Sequence, residues 1–421
     1  MKKDSGITLV TLAVTILIII ILASITINAV LGDNGLLKQA QDAKDLAEST
    51  TLETEDKMEE VLQEYKNVMS EDENIDNPNT NTESDEPVDP PEPETPKVDE
   101  VIGEKFDNTT QIEDASGDTV WIPGGFEVAE DSATDADDGI VITDGTNEFV
   151  WIPVGDDDLN EMYIQASGTK LTEVTTITDL YSNLRIRSKD DFLSDKPNTT
   201  HTREPDVLSQ YDTDSQYYGI LNYGSTKEMA DAFVTEYKAI YDSIVKYDGF
   251  YIGRYELTGT VSKPTIKKKQ AVLTGQNWYN LKKACTDVVS TDYAQTTMIY
   301  GNQWDEVMDW LIETGDKTDY EVNTDSSNWG NFNDSTGNAA TGSGTKRPAG
   351  YSEYWKANNI YDLAGNCEEW IQEADLANRR IFHRGYYGSS GSTNPPTSRN
   401  GSSPSSSDNY CTSRPVMYIK Q

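Results

Sequence analysis

The sequence predicts a mixed α+β domain carried behind an N-terminal apolar helix and an acidic linker. Three observations lead there. An uncharged apolar run occupies Ile7 to Val30. A segment dense in acid and proline follows from Glu71 to Glu100. From about Val101 the composition turns to Trp, Tyr, Gly and Asn among short β-type runs, with only two clearly helical stretches.

The apolar run comes first. It is long enough, at 1.5 Å rise per residue, to span a ~30 Å hydrocarbon core as a helix. Lys2 and Lys3 precede it and no basic cluster follows closely, so the short end stays cytoplasmic and the rest lies outside. A cleaved secretory signal has a shorter apolar core and ends at a small-residue cleavage site. The expected location is therefore the cell membrane, crossed once, with the C-terminal part extracellular. "MKKDSG" followed by "ITLVTLAV" resembles a type IV prepilin signal. That resemblance implies a leader over 1–6, cleavage after Gly6 and methylation of Ile7. It also implies a partner assembly, a pilus-like fibre. The family carries Glu at the fifth position after the cut, where this chain has Thr11; that Glu supports registry in filaments, whereas export and anchoring do not depend on it.

After the anchor, residues 31–69 combine strong helix formers with apolar residues at three- and four-residue spacing, which predicts an amphipathic helical stalk. A solvated helical spacer fits the same residues. The next stretch, 70–100, holds twelve acidic residues, six prolines and one Lys between Glu71 and Glu100. It lacks the apolar surface to fold, and its charges and prolines extend it, so it reads as a disordered linker.

The third part, 101–421, is large for one domain, and the region at about 160–235 reads as inserted loops. "VWIPGG" and "VWIPVG" are each a strand followed by turn punctuation. "DGFYIGRYELTG" alternates as a half-buried strand. "EMADAFVTEYKAIYDSIVKY" and "QWDEVMDWLIETG" carry helical periodicity.

Charge and composition exclude several functions. With 34 basic and 73 acidic side chains the formal charge is −39, which opposes nucleic acid as a partner. The cysteines, Cys285, Cys367 and Cys411, form neither a disulfide framework nor a CxxC site. The two histidines, His201 and His383, leave little material for hydrolase chemistry.

Taken in order, "WIPVG", "FYIGRYELT", "MIYGNQWDEVMDWL", "NNIYDLAGNCEEWIQE", "RRIFHRGYYGSSGS" and "SRPVMYI" resemble the formylglycine-generating enzyme and sulfatase-modifying-factor family. "NNIYDLAGNCEEW" is the most specific piece. The resemblance implies a C-type-lectin-like fold in its large irregular variant. It also implies calcium held by the "GN…E" segment, here Asn366 and Glu369, whose oxygens suit a hard cation. A turn held by Asn and Glu hydrogen bonds around a buried Trp370 fits the same residues. Enzymes of the family use two nearby C-terminal cysteines to hold copper, since paired thiolates bind Cu(I). Here only Cys411 occupies that region, so the chain is expected not to be an enzyme. A copper-dependent oxidase and a structural minor pilin are the alternatives. Cys367, within a packing motif, reads as a buried structural thiol.

Between "RRIFHR" and "TSRPVMYIK", Gly385 to Cys411 contains no Lys, Glu, Gln, Met, Trp or aliphatic side chain, although the first five types make up about a fifth of the chain. The same fold carries the variable proteins of diversity-generating retroelements. Asn codons rewritten at their adenines never yield Lys, Glu, Gln, Met or Trp, and a soluble Ser/Gly loop lacks those residues too. The resemblance therefore implies a variable region at about 384–411. Tyr supplies rigid contact area and Ser, Gly and Asn supply adaptable hydrogen bonding, the mixture antibody loops use. The expected ligand-binding residues are Tyr386, Tyr387, Ser389, Ser390, Thr393, Asn394, Asn400, Ser402, Ser403, Ser406, Asp408, Asn409, Tyr410 and Cys411. Arg384, Gly385, Arg399, Arg414 and Pro415 are the expected scaffold. The partner is an extracellular protein or glycan.

Overall fold

A computed structural model describes residues 95–162, 214–376, 379–383 and 385–421. The leader with Gly6 and Ile7, the apolar run, the stalk, most of the linker and Arg384 lie outside these residues. No helix among the described residues is long and apolar enough to cross a membrane.

Strands are numbered in chain order: β1 (Thr110–Glu113), β2 (Thr119–Ile122), β3 (Glu127–Val128), β4 (Val141–Thr143), β5 (Glu148–Pro153), β6 (Gly249–Gly253), β7 (Thr258–Thr260), β8 (Lys263–Thr265) and β9 (Ala294–Met298). They continue with β10 (Lys356–Ala357), β11 (Ile360–Tyr361), β12 (Glu368–Leu376), β13 (Arg379–His383), β14 (Arg399–Ser402), β15 (Cys411–Ser413) and β16 (Pro415–Ile419). The helices are α1 (Asp156–Met162), α2 (Ser215–Tyr218), α3 (Thr226–Tyr247), α4 (Trp278–Thr286), α5 (Gly301–Glu313) and α6 (Asp319–Asn323).

Six strands form an antiparallel sheet in the order β3-β4-β5-β6-β16-β9. The C-terminal β16 inserts between β6 and the edge strand β9. Side chains alternate across this sheet. Val150, Ile152, Phe250, Ile252 and Val416 enter a core on one face with α3, α4 and α5. Phe149, Trp151, Tyr251, Met417 and Ile419 enter a second core on the other face with Ile112, Val120 and Ile122 of the β1–β2 hairpin. Sequence alternation had marked β6 as half-buried. All five of its residues are buried, because each face has its own apolar cover.

The helices follow their periodicity. In α3, Ser225 accepts a hydrogen bond from Glu228 N and caps the start, and Asp248 ends the helix at φ 55°. Its Met229, Phe233, Tyr237, Ile240 and Ile244 face the first core. Both α2 and α3 fall within or beside the region read as inserted loops, so that reading holds helical structure from Ser215 onward.

The composition-based linker boundary also moves. Lys97 bridges to Glu113, Val98–Glu100 form a 3-10 turn, and Val98 is buried in the second core. Val98 burial and the backbone bond from Glu113 N to Pro96 O tie the end of the acidic segment into the fold.

A smaller sheet, β14-β13-β12-β15, carries the C-terminal stretch. Its β12–β15 pair is parallel and the other two pairs are antiparallel. β14 and β15, which lie inside or at the end of the Ser-rich run, are the two edges.

Candidate binding surface

Arg399 pins the middle of the run. Its Nη2 donates to Asp305 Oδ1 and Oδ2 at 2.8 and 2.9 Å and to Gly301 O at 3.3 Å, and its Nε donates to Glu373 Oε2 at 3.2 Å. All three ionic side chains are almost completely buried. α5 supplies Asp305 and β12 supplies Glu373, so the guanidinium ties two elements to β14. Upstream, Pro395 to Ser398 are buried. Pro396 O accepts from Trp304 Nε1 at 3.0 Å and from His383 Nδ1 at 2.8 Å. The His383 ring stacks on Trp304 with centroids 4.2 Å apart. Because a carbonyl only accepts, Nδ1 carries the proton. Burial, and then the Arg399 charge, hold the imidazole pKa well below its usual value, so the ring is neutral.

The first loop, 385–394, is held from outside itself. Gly385 sits at φ 121°, where a side chain is strained. Asp334 Oδ1 accepts from Gly391 N at 2.7 Å, and its Oδ2 accepts from Ser390 Oγ at 2.5 Å and Ser392 Oγ at 3.1 Å. Burial opposes the charge, but these donors hold the carboxyl below its usual range. Asn333 adds N to Ser389 O (2.9 Å) and Nδ2 to Gly388 O (2.8 Å). Ser389 Oγ closes the turn on Tyr386, accepting from its N and donating to its O, each at 2.9 Å. Ser389 and Ser390 therefore spend their hydroxyls on loop shape. Asn394 Nδ2 likewise donates to Ser390 O at 3.1 Å, and Thr393 is exposed.

The second loop, 403–410, leans on residues 274–278. Trp278 N donates to Pro404 O at 3.0 Å and Gly275 N to Asp408 O at 2.9 Å. Asn400, Ser402, Ser403, Ser406 and Asp408 are half-buried and Asn409 is exposed. The two ends of the run meet. Tyr386 stacks on Tyr410 with centroids 4.8 Å apart at 26°, and Tyr387 stands edge-on to Tyr386 at 5.3 Å.

Cys411 does not belong to this surface. It is 1% exposed, pairs with Glu368 across the parallel β12–β15 ladder, and its Sγ lies 3.5 Å from Glu368 Oε2. Burial, with the Glu368 and Asp408 charges, pushes the thiol up, away from the thiolate that copper binds. Cys367 is also buried.

Asn366 and Glu369 form a hydrogen-bonded hub, and their geometry does not fit the calcium that the resemblance implied. Arg414 Nη2 and Nε donate to Glu369 Oε1 and Oε2 at 2.7 and 3.1 Å. A guanidinium thus occupies the place a cation would take. Asn366 Oδ1 accepts from Asn331 Nδ2 (2.9 Å) and Arg347 N (3.0 Å), and its Nδ2 donates to Glu256 Oε2 (2.5 Å). No group of three or more His, Cys, Asp or Glu among the described residues is arranged to hold a metal. The same hub buries Asp362. Burial and the Glu369 charge outweigh the Gly350 N–H and Arg414 and raise its carboxyl to about 7. Arg414 also donates to Gly253 O and Tyr361 O, and with the buried Pro415 it leads into β16.

Sequence reasoning passed over Asn333, Asp334, Lys346 and Arg347, which border the surface. A signal was present for the last two: they are the sole basic residues between Lys317 and Lys356.

No protein family model matches this sequence, and no curated protein matches it. Solved structures to which the chain is similar include PvdO from Pseudomonas aeruginosa, at 14% identity and TM-score 0.29, covering 41% of this chain and 81% of that one. Variable protein 1 of Treponema denticola follows at 13% and 0.27, covering 40% and 84%, and CarF at 12% and 0.27, covering 41% and 87%. At these TM-scores the likenesses decide nothing about function.

Proposed function

We propose that this chain is a membrane-anchored, surface-displayed binding protein. Its C-terminal domain, of C-type-lectin-like fold, presents Tyr386 to Tyr410 to an extracellular ligand. One observation carries the reading. The run is divided into a buried framework, Pro395–Arg399 and Cys411, and two outward loops whose tyrosines meet in a stacked cluster. Asn333 and Gly275 donate to backbone carbonyls of those loops and Asp334 accepts from Gly391 N, so side chains outside the Ser389, Ser390 and Ser392 hydroxyl contacts are free to differ. Rigid Tyr with adaptable Ser and Asn suits such a face. Rewriting of the run at adenines is part of the proposal.

Replacing Tyr386, Tyr387 and Tyr410 together with Ala should abolish capture of the ligand from surface extracts without unfolding the domain. Retained capture overturns the assignment. Sequencing the gene from sibling isolates should find substitutions enriched at Tyr386–Asn394 and Asn400–Tyr410 and sparse at Pro395–Arg399; an even spread removes the diversification part.

A further inference from the structure

The stretch Gly342–Tyr351 reaches the second loop through Lys346 and carries no acidic residue; the nearest in sequence are Asp334 and Glu353. Lys346 is exposed, and its Nζ donates to Asn409 O at 2.9 Å and Thr274 Oγ1 at 2.7 Å, which fixes it beside the second loop. The Arg347 backbone is tied to the first loop through Asn366. Its N donates to Asn366 Oδ1 at 3.0 Å, while Tyr387 N donates to Asn366 O at 3.1 Å.

The Arg347 guanidinium is itself oriented. Nε donates to Gly342 O at 2.7 Å, and Cζ lies 4.8 Å from the ring centroid of Tyr351, a side chain that is 46% exposed. The η nitrogens make no hydrogen bond among the described residues. A guanidinium held through Nε and one face keeps a pair of η N–H groups ready for a carboxylate.

We propose that Arg347, flanked by Lys346 and backed by Tyr351, is a carboxylate-binding subsite at the margin of the tyrosine face. The ligand is a protein that places an Asp or Glu side chain there. This inference rests on the reading of Tyr386–Tyr410 as a binding face. In a chain of net charge −39, an acidic partner is repelled over most of the surface, so a local cationic pair sets its register. Tyr and Arg are the residue types that anchor protein interfaces. A sulfated glycan would call for a longer row of cations, and Lys346 already spends two protons on Asn409 and Thr274.

The test uses the full chain with fluorescent hexaglutamate, hexaglutamine and a heparin hexasaccharide as probes, read by anisotropy. Hexaglutamate should bind and hexaglutamine should not, and the affinity should fall as salt rises. Arg347→Gln should weaken hexaglutamate binding by about tenfold or more, and Arg347→Lys, which keeps charge but loses the fork, should fall between. Melting temperatures of the variants should match the parent, which separates lost binding from lost folding. No binding of hexaglutamate, or equal binding by Arg347→Gln, overturns the proposal. Preferential heparin binding with the same Arg347 dependence overturns it in favour of an anionic glycan. Loss in Tyr386→Ala but not in Arg347→Gln overturns this subsite and leaves the binding face standing; loss in neither overturns both.

Discussion

Arg399 illustrates how one side chain organises a run that composition alone would call a tail. Its guanidinium bridges Asp305 and Glu373, two carboxylates with almost no exposure. Truncating it removes a buried cation from both. Arg399→Ala should therefore destabilise the domain by about 3–5 kcal/mol, the cost of breaking a buried ion pair, and chemical denaturation checks this. A loss under about 1 kcal/mol would mean that the pair is as weak as an exposed one. Arg414 and Pro415 were legible as scaffold from their places in a strand-like flank of the run. Cys411 was not separable from the surface residues beside it. Its burial comes from the parallel pairing of β15 with β12, a contact between distant segments that no local pattern encodes. Asp334 was missed for a similar reason: its hydrogen-bond partners, Ser390 to Ser392, lie 56 to 58 residues away.

Among the elements, α3, α5, β5 and β6 were readable because their apolar periods are strong and local. β14 was not. "RNGS" has poor strand propensity, and it is a strand because β13 offers a ladder from His383↔Arg399 to Arg380↔Ser402. The packing of α5 on β12 depends on one glycine. A Cβ on Gly301 would collide with the Glu373 carboxylate, which Arg399 also contacts. Gly301→Ala should cost about 1–3 kcal/mol through overpacking. The loss should not add to that of Arg399→Ala, since both act on Glu373. A double-mutant cycle by denaturant midpoint measures this, and full additivity would refute the shared contact.

At the scale of the molecule, the buried hub beneath the site sets a pH response. Asp362 is 1% exposed and its folded pKa is about 7, against about 3.9 for an unfolded Asp. The folded state therefore holds this proton more tightly. The stability it contributes is fully present below the unfolded value and is lost as pH rises through the folded value. Between pH of roughly 4 and 7, this group alone should lower stability by about 1.4 kcal/mol per unit. Burial, with the Asp362 and Glu369 charges, raises Glu256 in the same hub well above its usual value. Asp362→Asn tolerates the residue's φ of 59° and should flatten the fall in melting temperature over that range. An unchanged slope would place the response elsewhere.

The sequence by itself determined the order of parts: an apolar segment, a stretch rich in helix-forming residue types, an acidic proline-rich segment and a mixed α+β domain ending in a Tyr/Ser/Asn run. These follow from composition and local period, which need no partner segment. Tertiary structure decided which side chains of that run point outward and that its two ends stack at Tyr386 and Tyr410. It also decided that Glu369 takes a guanidinium and that Lys346 and Arg347 stand at the margin. Each of those outcomes depends on contacts between segments far apart in the chain. Local sequence patterns do not carry that information.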